Sequence, residues 1–461
     1  MTNQHDLRPD YEMEGRVSSW LSDTDLSSDE AERGLDRLLD EFPVTPQTRR
    51  RFLGRWFDRD EGARRRTATH DHPRDTHNRR NRLMFSVTGL TAALAVLALG
   101  VSVITTEPAP PGAGTGSTYT VAPSGGDFST ITEAVAAAED GDTILIKPGT
   151  YTESVVIDKD ITVMGDGEPG EVVVRIPDDG QEGVPGGGAF AFRLQDADVD
   201  LGHLTLQGDA RGPGAVVVMS GDPMIHDLVG DFDEVQGTWF WNRLISVEGD
   251  ATGTIRDTVS EADISVRDQA SPLITDNIAF SIWMDGESSA HITANRIGWV
   301  IVQGAATPTI EGNVIDSDAF AAYPTPCGLQ LEATEPGLTV VANVVRNQTI
   351  GICARTGSSG TLTANELFDN DTGMLLSNSA ASLEGNTVRG GSTGISIDRG
   401  SPVLKGNTVE GAGQGLFVNV DASPTLLGNT ICGNETNLVV AIGATPPDTT
   451  GNEICEDAPS E

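Results

Sequence analysis

The sequence predicts an all-β fold, a parallel β-helix in which short strands wind into stacked coils. Eight asparagines recur in near-identical phrases such as ITAN, LEGN and LKGN, at intervals of 18, 18, 30, 22, 21, 21 and 22 residues. A period near 20 residues marks each repeat as one structural unit that buries its apolar face only against its neighbours. The units are too rich in Val, Ile, Thr, Gly and Asn to be helical, and they lack the leucine pattern of horseshoe repeats.

The repeated asparagines are predicted to occupy a tight bend in each coil. Asparagine tolerates the left-handed backbone that such a bend needs. Stacked on its equivalents, each side-chain amide is expected to hydrogen-bond to the next in a ladder. The predicted ladder consists of Asn277, Asn295, Asn313, Asn343, Asn365, Asn386, Asn407 and Asn429.

Residues 1–82 are predicted to form a cytoplasmic region that is partly helical and partly disordered. Asp29 is a candidate helix cap, and Ala31, Leu35 and Leu38 begin an apolar face that Pro43 ends. An arginine-rich tail follows. The helix is a candidate docking element for a cytoplasmic protein partner.

Residues 83–104 are predicted to form one transmembrane helix. The segment is almost wholly apolar, and 22 residues at ~1.5 Å each span about 33 Å, enough for a hydrocarbon core of about 30 Å. Arginines precede it, so the positive-inside rule places the N-terminus in the cytoplasm. Residues 105–117 read as a Pro/Gly/Ser linker. The β-helix, residues 118–461, is therefore expected outside the cell membrane of a single-pass protein.

Acidic charge is concentrated in the predicted β-helix. Residues 1–82 carry 16 basic and 17 acidic residues, whereas residues 83–461 carry 14 basic and 51 acidic residues. Such a surface repels nucleic acid and anionic lipid, so neither is an expected partner of this part. Neutral or cationic partners fit, as do partners bridged by divalent cations, and calcium therefore stays open as a ligand. The plainer interpretation is solubility. A monomer is expected.

The four cysteines lie in the predicted external part, where disulfides persist. Cys432 and Cys455 each follow an asparagine by three residues, so adjacent coils would bring them within bonding reach. Cys327 and Cys353 also lie on neighbouring coils, with registers about three residues apart, and are a second candidate pair. No CxxC motif or Cys/His cluster indicates zinc, and no cofactor is expected.

The segment that begins TYTVAPSGGDFSTITEAV and runs to Gly167 contains a predicted cap for the first coil. Thr130 and Glu133 fit a capping box, and Ile131, Ala134 and Val135 give a short helix one apolar face. The segment resembles the opening of the pectinesterase and pectate-lyase-like superfamily. That resemblance implies a right-handed parallel β-helix with an N-terminal capping helix, and the later asparagine repeats resemble the generic repeats of the same superfamily.

The catalytic motifs of that superfamily are absent. The chain has no QAVAL or DFIFG phrase and no Arg-Pro-Trp, as in pectinesterases, and no ordered NTD, DD, GHG and RIK set, as in polygalacturonases. No set of aspartates with an arginine base matches the pectate lyases. We therefore expect a protein without catalytic activity, with a divergent polysaccharide lyase or glycoside hydrolase as the alternative.

Aligning the coils on the strand Ile395–Ile397 predicts which side chains share an outward face. Trp283 and Ile301 fall on consecutive coils of one column, and Glu248, Arg267 and Asp285 fall in the next. Aromatic rings stack on sugars while carboxylates bond to hydroxyls. The candidate residues for binding carbohydrate or cell-wall glycan are Trp239, Trp241, Trp283, Trp299 and Asp285.

Other interpretations of the same residues stay open. The aromatic residues equally fit a satellite core beneath a loop. The column of mixed charge equally fits a ladder of exposed ion pairs, or an acid/base site for a glycosidic bond. For the whole chain, the third possibility is a structural or signalling stalk with a cytoplasmic partner.

Overall fold

The computed structural model describes residues 116–177, 190–210, 212–232, 242–319, 327–332 and 336–457. The predicted cytoplasmic region, the predicted transmembrane segment and all but the end of the linker lie outside these residues. Within the described ranges, no helix is long and apolar enough to cross a membrane.

The described chain winds as a coil, and each turn adds one strand to a first sheet and further strands to a second sheet. The first sheet has 14 strands and the second has 24, and the strand pairs in both are parallel. The first sheet consists of Thr118–Val121, Thr143–Ile146, Thr162–Gly165, Asp200–Gly202, Met224–His226, Thr254–Arg256, Leu273–Thr275, His291–Thr293, Thr309–Glu311, Thr339–Val341, Thr361–Thr363, Ser382–Glu384, Val403–Lys405 and Thr425–Leu427.

The second sheet bends at a corner into two rows of strands. The row that follows the first sheet contains Gly149–Thr152, Val172–Arg175, Thr205–Gly208, Val229–Phe232, Val314–Asp316, Val344–Arg346, Glu366–Phe368, Thr387–Arg389, Thr408–Glu410, Thr430–Ile431 and Glu453–Ile454. The other row contains Val155–Ile157, Phe192–Leu194, Val216–Val218, Arg243–Val247, Leu329–Glu332, Ile350–Arg355, Thr372–Ser377, Thr393–Ile397, Gln414–Val418 and Thr436–Val440. Three long strands run through both rows: Val259–Val266, Ile278–Met284 and Arg296–Gln303.

A short helix, Ile131–Ala137, precedes the second coil, and a 3-10 turn forms at Ser317–Ala319. The Thr130 side chain accepts a hydrogen bond from the Glu133 backbone N–H, which satisfies one free donor at the helix N-terminus. Ile131, Ala134 and Val135 are buried. The helix therefore covers the apolar end of the first coils, as the sequence predicted.

The core lies inside the coils and is built from alternating residues of each strand. Ile264, Ile282 and Val300 stack on consecutive coils, and each is completely buried. Such a column removes branched aliphatic side chains from water at roughly 1.5–3 kcal/mol each. The stacking explains why one repeat is not stable alone.

An asparagine ladder runs through the turn after the first sheet. From Asn277 to Asn429, the backbone N–H of each ladder residue donates to Oδ1 of the next, at 2.8–3.0 Å. Thr258 begins the ladder by donating to Asn277, and Asn452 ends it. The asparagines are buried, so the ladder satisfies polar groups that water does not reach.

The asparagines do not themselves adopt the left-handed backbone, and that prediction was wrong. The residue before each asparagine does so: Asp276, Ala294 and Gly312 have φ of 57°, 56° and 64°. The asparagine side chain must point inward to join the ladder. The residue before it therefore adopts the left-handed conformation that bends the chain. Ala294 and Ala342 take this conformation in spite of its cost for a residue with a Cβ.

Two disulfides staple adjacent coils. Cys432 and Cys455 are joined with their Cα atoms 4.9 Å apart, directly after the paired residues Ile431 and Ile454. Cys327 and Cys353 are joined at 5.9 Å. The offset in register between the second pair does not prevent the bond, because Cys327 precedes its strand.

Candidate functional site

The candidate site is the outward side of four strands, which we call the Trp283 face: Arg243–Val247, Val259–Val266, Ile278–Met284 and Arg296–Gln303. The strand register places Ser246, Ser265, Trp283 and Ile301 in one outward column. Two positions further along each strand direction lie Glu248, Arg267, Asp285 and Gln303. The neighbours that we predicted from the sequence are therefore the neighbours in the sheet.

Trp283 is an exposed large apolar side chain on this face, at 36% exposure. Ile301 is its neighbour on the next coil and is partly exposed. Together they form an apolar strip on an otherwise polar wall. Exposed aromatic rings without a partner are typical of binding surfaces.

Trp299 does not offer the exposed ring surface that the sequence predicted. It pairs in register with Ser281, two positions before Trp283, and is only 7% exposed. Its ring lies 4.6 Å from that of Phe280, centroid to centroid. Trp299 therefore packs against its neighbour, as in the alternative interpretation of a satellite core, whereas the loop of that interpretation lies outside the described residues. Trp239 and Trp241 lie outside the described residues.

Ser246 and Ser265 are buried although they face outward. Their Oγ atoms are 3.0 Å apart, and Ser246 Oγ also donates to Glu248 Oε1 at 2.8 Å. The column that holds Trp283 therefore continues into a dry, hydrogen-bonded polar patch. Hydrogen bonds in such surroundings are stronger than in water, so this patch holds the side chain of Glu248 in place beside the column.

Asp263 is a buried carboxyl group on the same face. It is 7% exposed, and Ser281 Oγ donates to its Oδ1 at 2.6 Å. Burial raises the pKa of Asp263 to about 6, because the opposing effects of the Ser281 hydrogen bond and the Arg243 charge are smaller. Near neutral pH, this carboxyl group titrates in a range useful for proton transfer.

Arg243 lies opposite Asp263 in the strand register. Burial lowers its pKa and the charge of Arg267 lowers it further, whereas Asp263, Glu248 and Asp285 act in the opposite direction. Its Nε is buried without a hydrogen-bond partner in the structure. Burial of this donor without a partner adds to the cost of holding the guanidinium at this position.

The expected ladder of ion pairs does not form in the charged column. Among the described residues, the pairs within 4.0 Å include Arg389 with Glu410 and Lys405 with Glu384, but none joins Glu248 to Arg267. The same column continues to Glu332 and Arg355, which face each other in register and are not paired with each other either. Arg355 instead donates to Cys353 Sγ at 3.6 Å. The charges of the Trp283 face are thus not consumed by mutual pairing at these positions.

The sequence analysis named Trp283 and Asp285 as candidates but did not single out Arg243, Asp263 or Ser281, which the structure places on the same face. Asp263 sits in EADISV, where an acidic residue next to the corner of a coil looks like any other surface acid. The alternation of the strand places it outward, as expected. Its burial depends on what surrounds the strand, which the repeat pattern does not encode.

A family model described as a right-handed β-helix region matches residues 279–431. The described chain is a right-handed parallel β-helix. No curated protein matches its sequence.

Solved structures similar to this β-helix include several that are named for polysaccharide chemistry. The A-module of mannuronan C-5 epimerase AlgE6 from Azotobacter vinelandii is 13% identical, with 72% of this chain and 94% of that chain covered and a TM-score of 0.36. The receptor-binding protein of bacteriophage Det7 is 14% identical, with 75% and 77% covered and a TM-score of 0.40. Pectate lyase Pel9A is 13% identical, with 74% and 80% covered and a TM-score of 0.25. At such identities and TM-scores, these likenesses carry no information about substrate or reaction.

Proposed function

We propose that the β-helix binds a polysaccharide chain across the Trp283 face without altering it. The observation that carries this proposal is the exposed Trp283 ring beside Ile301, next to a patch of buried polar groups. A sugar ring presents an apolar face for stacking and a rim of hydroxyls for hydrogen bonds. Trp283 suits the apolar face, whereas Glu248, Arg267 and Asp285 surround it with donors and acceptors.

A glycan array probed with the full-length chain tests this proposal. Trp283→Ala should weaken binding to the retained polysaccharide about tenfold or more, because a central aromatic anchor carries a large share of binding energy. The matched control is Phe417→Ala, since Phe417 is partly exposed in the same column, six coils further on. Equal binding by both variants, or an equal loss in both, would contradict the proposal.

A second candidate function is polysaccharide cleavage by a divergent site around Asp263. The specific observation in its favour is the pKa of Asp263, raised to about 6 by burial. A carboxyl group of this kind, next to an arginine with a free donor, suits general acid–base chemistry on a sugar. Release of reducing ends or of unsaturated, ultraviolet-absorbing ends from the bound polysaccharide, abolished in Asp263→Asn, would establish cleavage. Retention without release supports binding alone.

We further propose that the chain is anchored in the cell membrane by residues 83–104, with the β-helix outside. The apolar segment and the preceding arginines support this topology. The two disulfides support it too, because such bonds persist in oxidising compartments. In this arrangement the Trp283 face would meet extracellular or cell-wall glycan.

A further inference from the structure

Two histidines and an aspartate converge on a turn away from the Trp283 face. His203 and Asp227 occupy the left-handed turn after the first sheet on adjacent coils, with φ of 58° and 50°. His226 ends the strand just before Asp227. Because equivalent turns stack, residues 24 positions apart in the chain lie side by side.

The donor atoms of these three residues lie within 4.8 Å of one another. His226 Nδ1 is 2.8 Å from Asp227 Oδ2, and His203 Nε2 is 3.8 Å from the same oxygen. A tetrahedral ion with bonds of about 2.0–2.2 Å keeps its donors roughly 3.3 Å apart. These two distances lie on either side of this value, about half an ångström from it, and the two histidines lie within 4.8 Å of each other, so small side-chain rotations would bring the three donors onto one ion.

Asp200 fixes the orientation of the His226 ring. Asp200 Oδ1 lies 3.0 Å from His226 Nε2, the ring nitrogen that faces away from Asp227. A carboxylate that holds the far nitrogen of a histidine is the usual support for a metal-binding imidazole. Gly202 leaves room for the His226 ring, because a Cβ at position 202 would lie only 2.7 Å from that ring.

The cluster also lies where the asparagine ladder is missing. The residues at the ladder position on these two coils are Leu204 and Leu228, which directly follow His203 and Asp227. Both leucine side chains are buried and apolar, so only their backbone carbonyls, which accept the N–H groups of Val229 and Val259, hydrogen-bond to the next coil. A bond that joins His203 on one coil to His226 and Asp227 on the next would tie the coils together in place of the ladder.

We propose that His203, His226 and Asp227 form a binding site for a divalent transition-metal ion such as Zn²⁺. Two imidazoles and one carboxylate are a donor set that Zn²⁺ favours and that Ca²⁺ and Mg²⁺, which prefer all-oxygen sites, do not. His203 is half-exposed, which leaves a path from solvent and room for a water molecule as the fourth ligand.

The state that competes with the metal is an imidazolium between two carboxylates. Burial alone lowers the pKa of His226, but the hydrogen bonds to Asp200 and Asp227 outweigh it and raise the pKa to about 9. A bound ion would replace the proton on His226 Nδ1. The proton on His226 Nε2 would stay in its hydrogen bond to Asp200. The positive charge of Arg256 on the next coil acts in the opposite direction and lowers the pKa of His226. Arg256 itself donates a hydrogen bond to Asp257 Oδ2 at 2.6 Å.

Isothermal titration calorimetry of the full-length chain with Zn²⁺ tests this proposal. His203→Asn should weaken one class of Zn²⁺ site at least about tenfold, since asparagine tolerates the left-handed turn but removes the imidazole. Asp200→Asn should weaken the same site about 10–100-fold through the orientation of His226. A large excess of Ca²⁺ or Mg²⁺ should not displace the ion.

His291→Gln is the matched control. His291 Nε2 lies 3.6 Å from Glu311 Oε2 in the same sheet, but this exposed pair has only one histidine. The variant also serves as the reference for nonspecific Zn²⁺ binding by a single histidine. Such binding is expected at His5, His70, His72 and His77 elsewhere in the chain. The site proposed here is overturned if His203→Asn binds Zn²⁺ like the unmodified chain, or if His291→Gln loses as much.

Discussion

Each ladder asparagine bonds to residues on both neighbouring coils. Asn343 Nδ2 donates to the Ile310 carbonyl oxygen at 2.8 Å and to Asn365 Oδ1 at 3.0 Å. Asn343 Oδ1 accepts the backbone N–H of Asn313 at 3.0 Å. All these groups are shielded from water, so the side chain stabilises the turns of three consecutive coils.

Asn343→Ala should lower the free energy of unfolding by about 2–4 kcal/mol. The variant removes the acceptor of the Asn313 N–H and of Asn313 Nδ2, and a buried polar group without a hydrogen bond costs about 1–3 kcal/mol. Denaturant unfolding monitored by circular dichroism measures the change. Asn419→Ala is the control, because the Asn419 side chain is only partly buried and its two hydrogen bonds, to Asp398 Oδ1 and from the Val420 N–H, are outside the ladder. A similar effect in both variants would show that the ladder has no special role.

Asp263 should make stability fall as pH rises. Its pKa is raised from 3.8 to about 6 in the folded chain, so the folded state binds a proton that the unfolded state releases between these values. The folded state therefore loses up to about 3 kcal/mol as pH increases from about 4 to above 6. In Asp263→Asn this loss should disappear, so the variant gains stability relative to the unmodified chain at pH 7.5 but not at pH 4. Parallel pH profiles for the two chains would contradict the assignment.

The ladder positions follow from the sequence, but the burial of Asp263 does not. A side chain that recurs at a fixed interval must stack on its equivalents, and the interval is visible in the chain. The direction of a strand residue follows from alternation. Whether an outward residue such as Ser265 or Asp263 is also buried depends on what surrounds one coil, and that information is not periodic.

At the scale of the element, the turns decide the register of the strands. The bend before each asparagine starts the next strand at the same point, so the strands that follow pair residue for residue, as Trp283 does with Ile301. Coils of different length keep this register. The 30-residue interval between Asn313 and Asn343, for example, leaves the pairing of Val314 with Val344 intact.

The sequence did not predict a second set of amide bonds at another corner of the coil. Asn370 Oδ1 accepts the Gln348 N–H, and Asn434 Oδ1 accepts the Ala412 N–H, at 3.1 and 2.9 Å. Only some coils carry the asparagine, and Gln348, Gly391 and Ala412 occupy the position on other coils. Such an interrupted ladder gives no regular signal in the chain.

The Cys432–Cys455 disulfide should stabilise the C-terminal coil in particular. The bond closes a loop over a sequence separation of 23 residues, and loop-closure entropy predicts about 3 kcal/mol for a loop of that size. The double variant Cys432→Ser/Cys455→Ser should unfold first at Glu453–Ile454, as measured by faster hydrogen exchange there. Exchange at the N-terminal helix Ile131–Ala137 should stay unchanged. Uniformly faster exchange would argue that the coils unfold only as one unit.

At the scale of the whole molecule, charge and the proposed topology restrict the partners. Residues 83–461 carry 51 acidic and 14 basic residues, so the chain repels nucleic acid and anionic surfaces at low salt. A neutral polysaccharide, or one held through Arg243 and Arg267, meets no such barrier. The stacked strands offer a long surface to an extended polysaccharide chain. The apolar strip of Trp283 and Ile301 occupies one part of that surface.

The proposed anchor predicts where the full chain is found. It should remain in the membrane fraction after extraction with carbonate at high pH, because residues 83–104 are long and apolar enough to span the bilayer. Deletion of those residues should release the chain. Protease added to intact cells should reach the β-helix but not residues 1–82. A full-length chain in the soluble fraction would contradict the anchor.

Hydroxyl-radical footprinting of the full-length chain, with and without a polysaccharide that it retains, tests the central claim most directly. The account predicts that oxidation of Trp283 falls severalfold when polysaccharide is bound, while oxidation of Phe417, in the same column six coils away, stays constant. Unchanged oxidation of Trp283 under conditions of demonstrated binding would contradict it, because the glycan would then lie on another part of the β-helix.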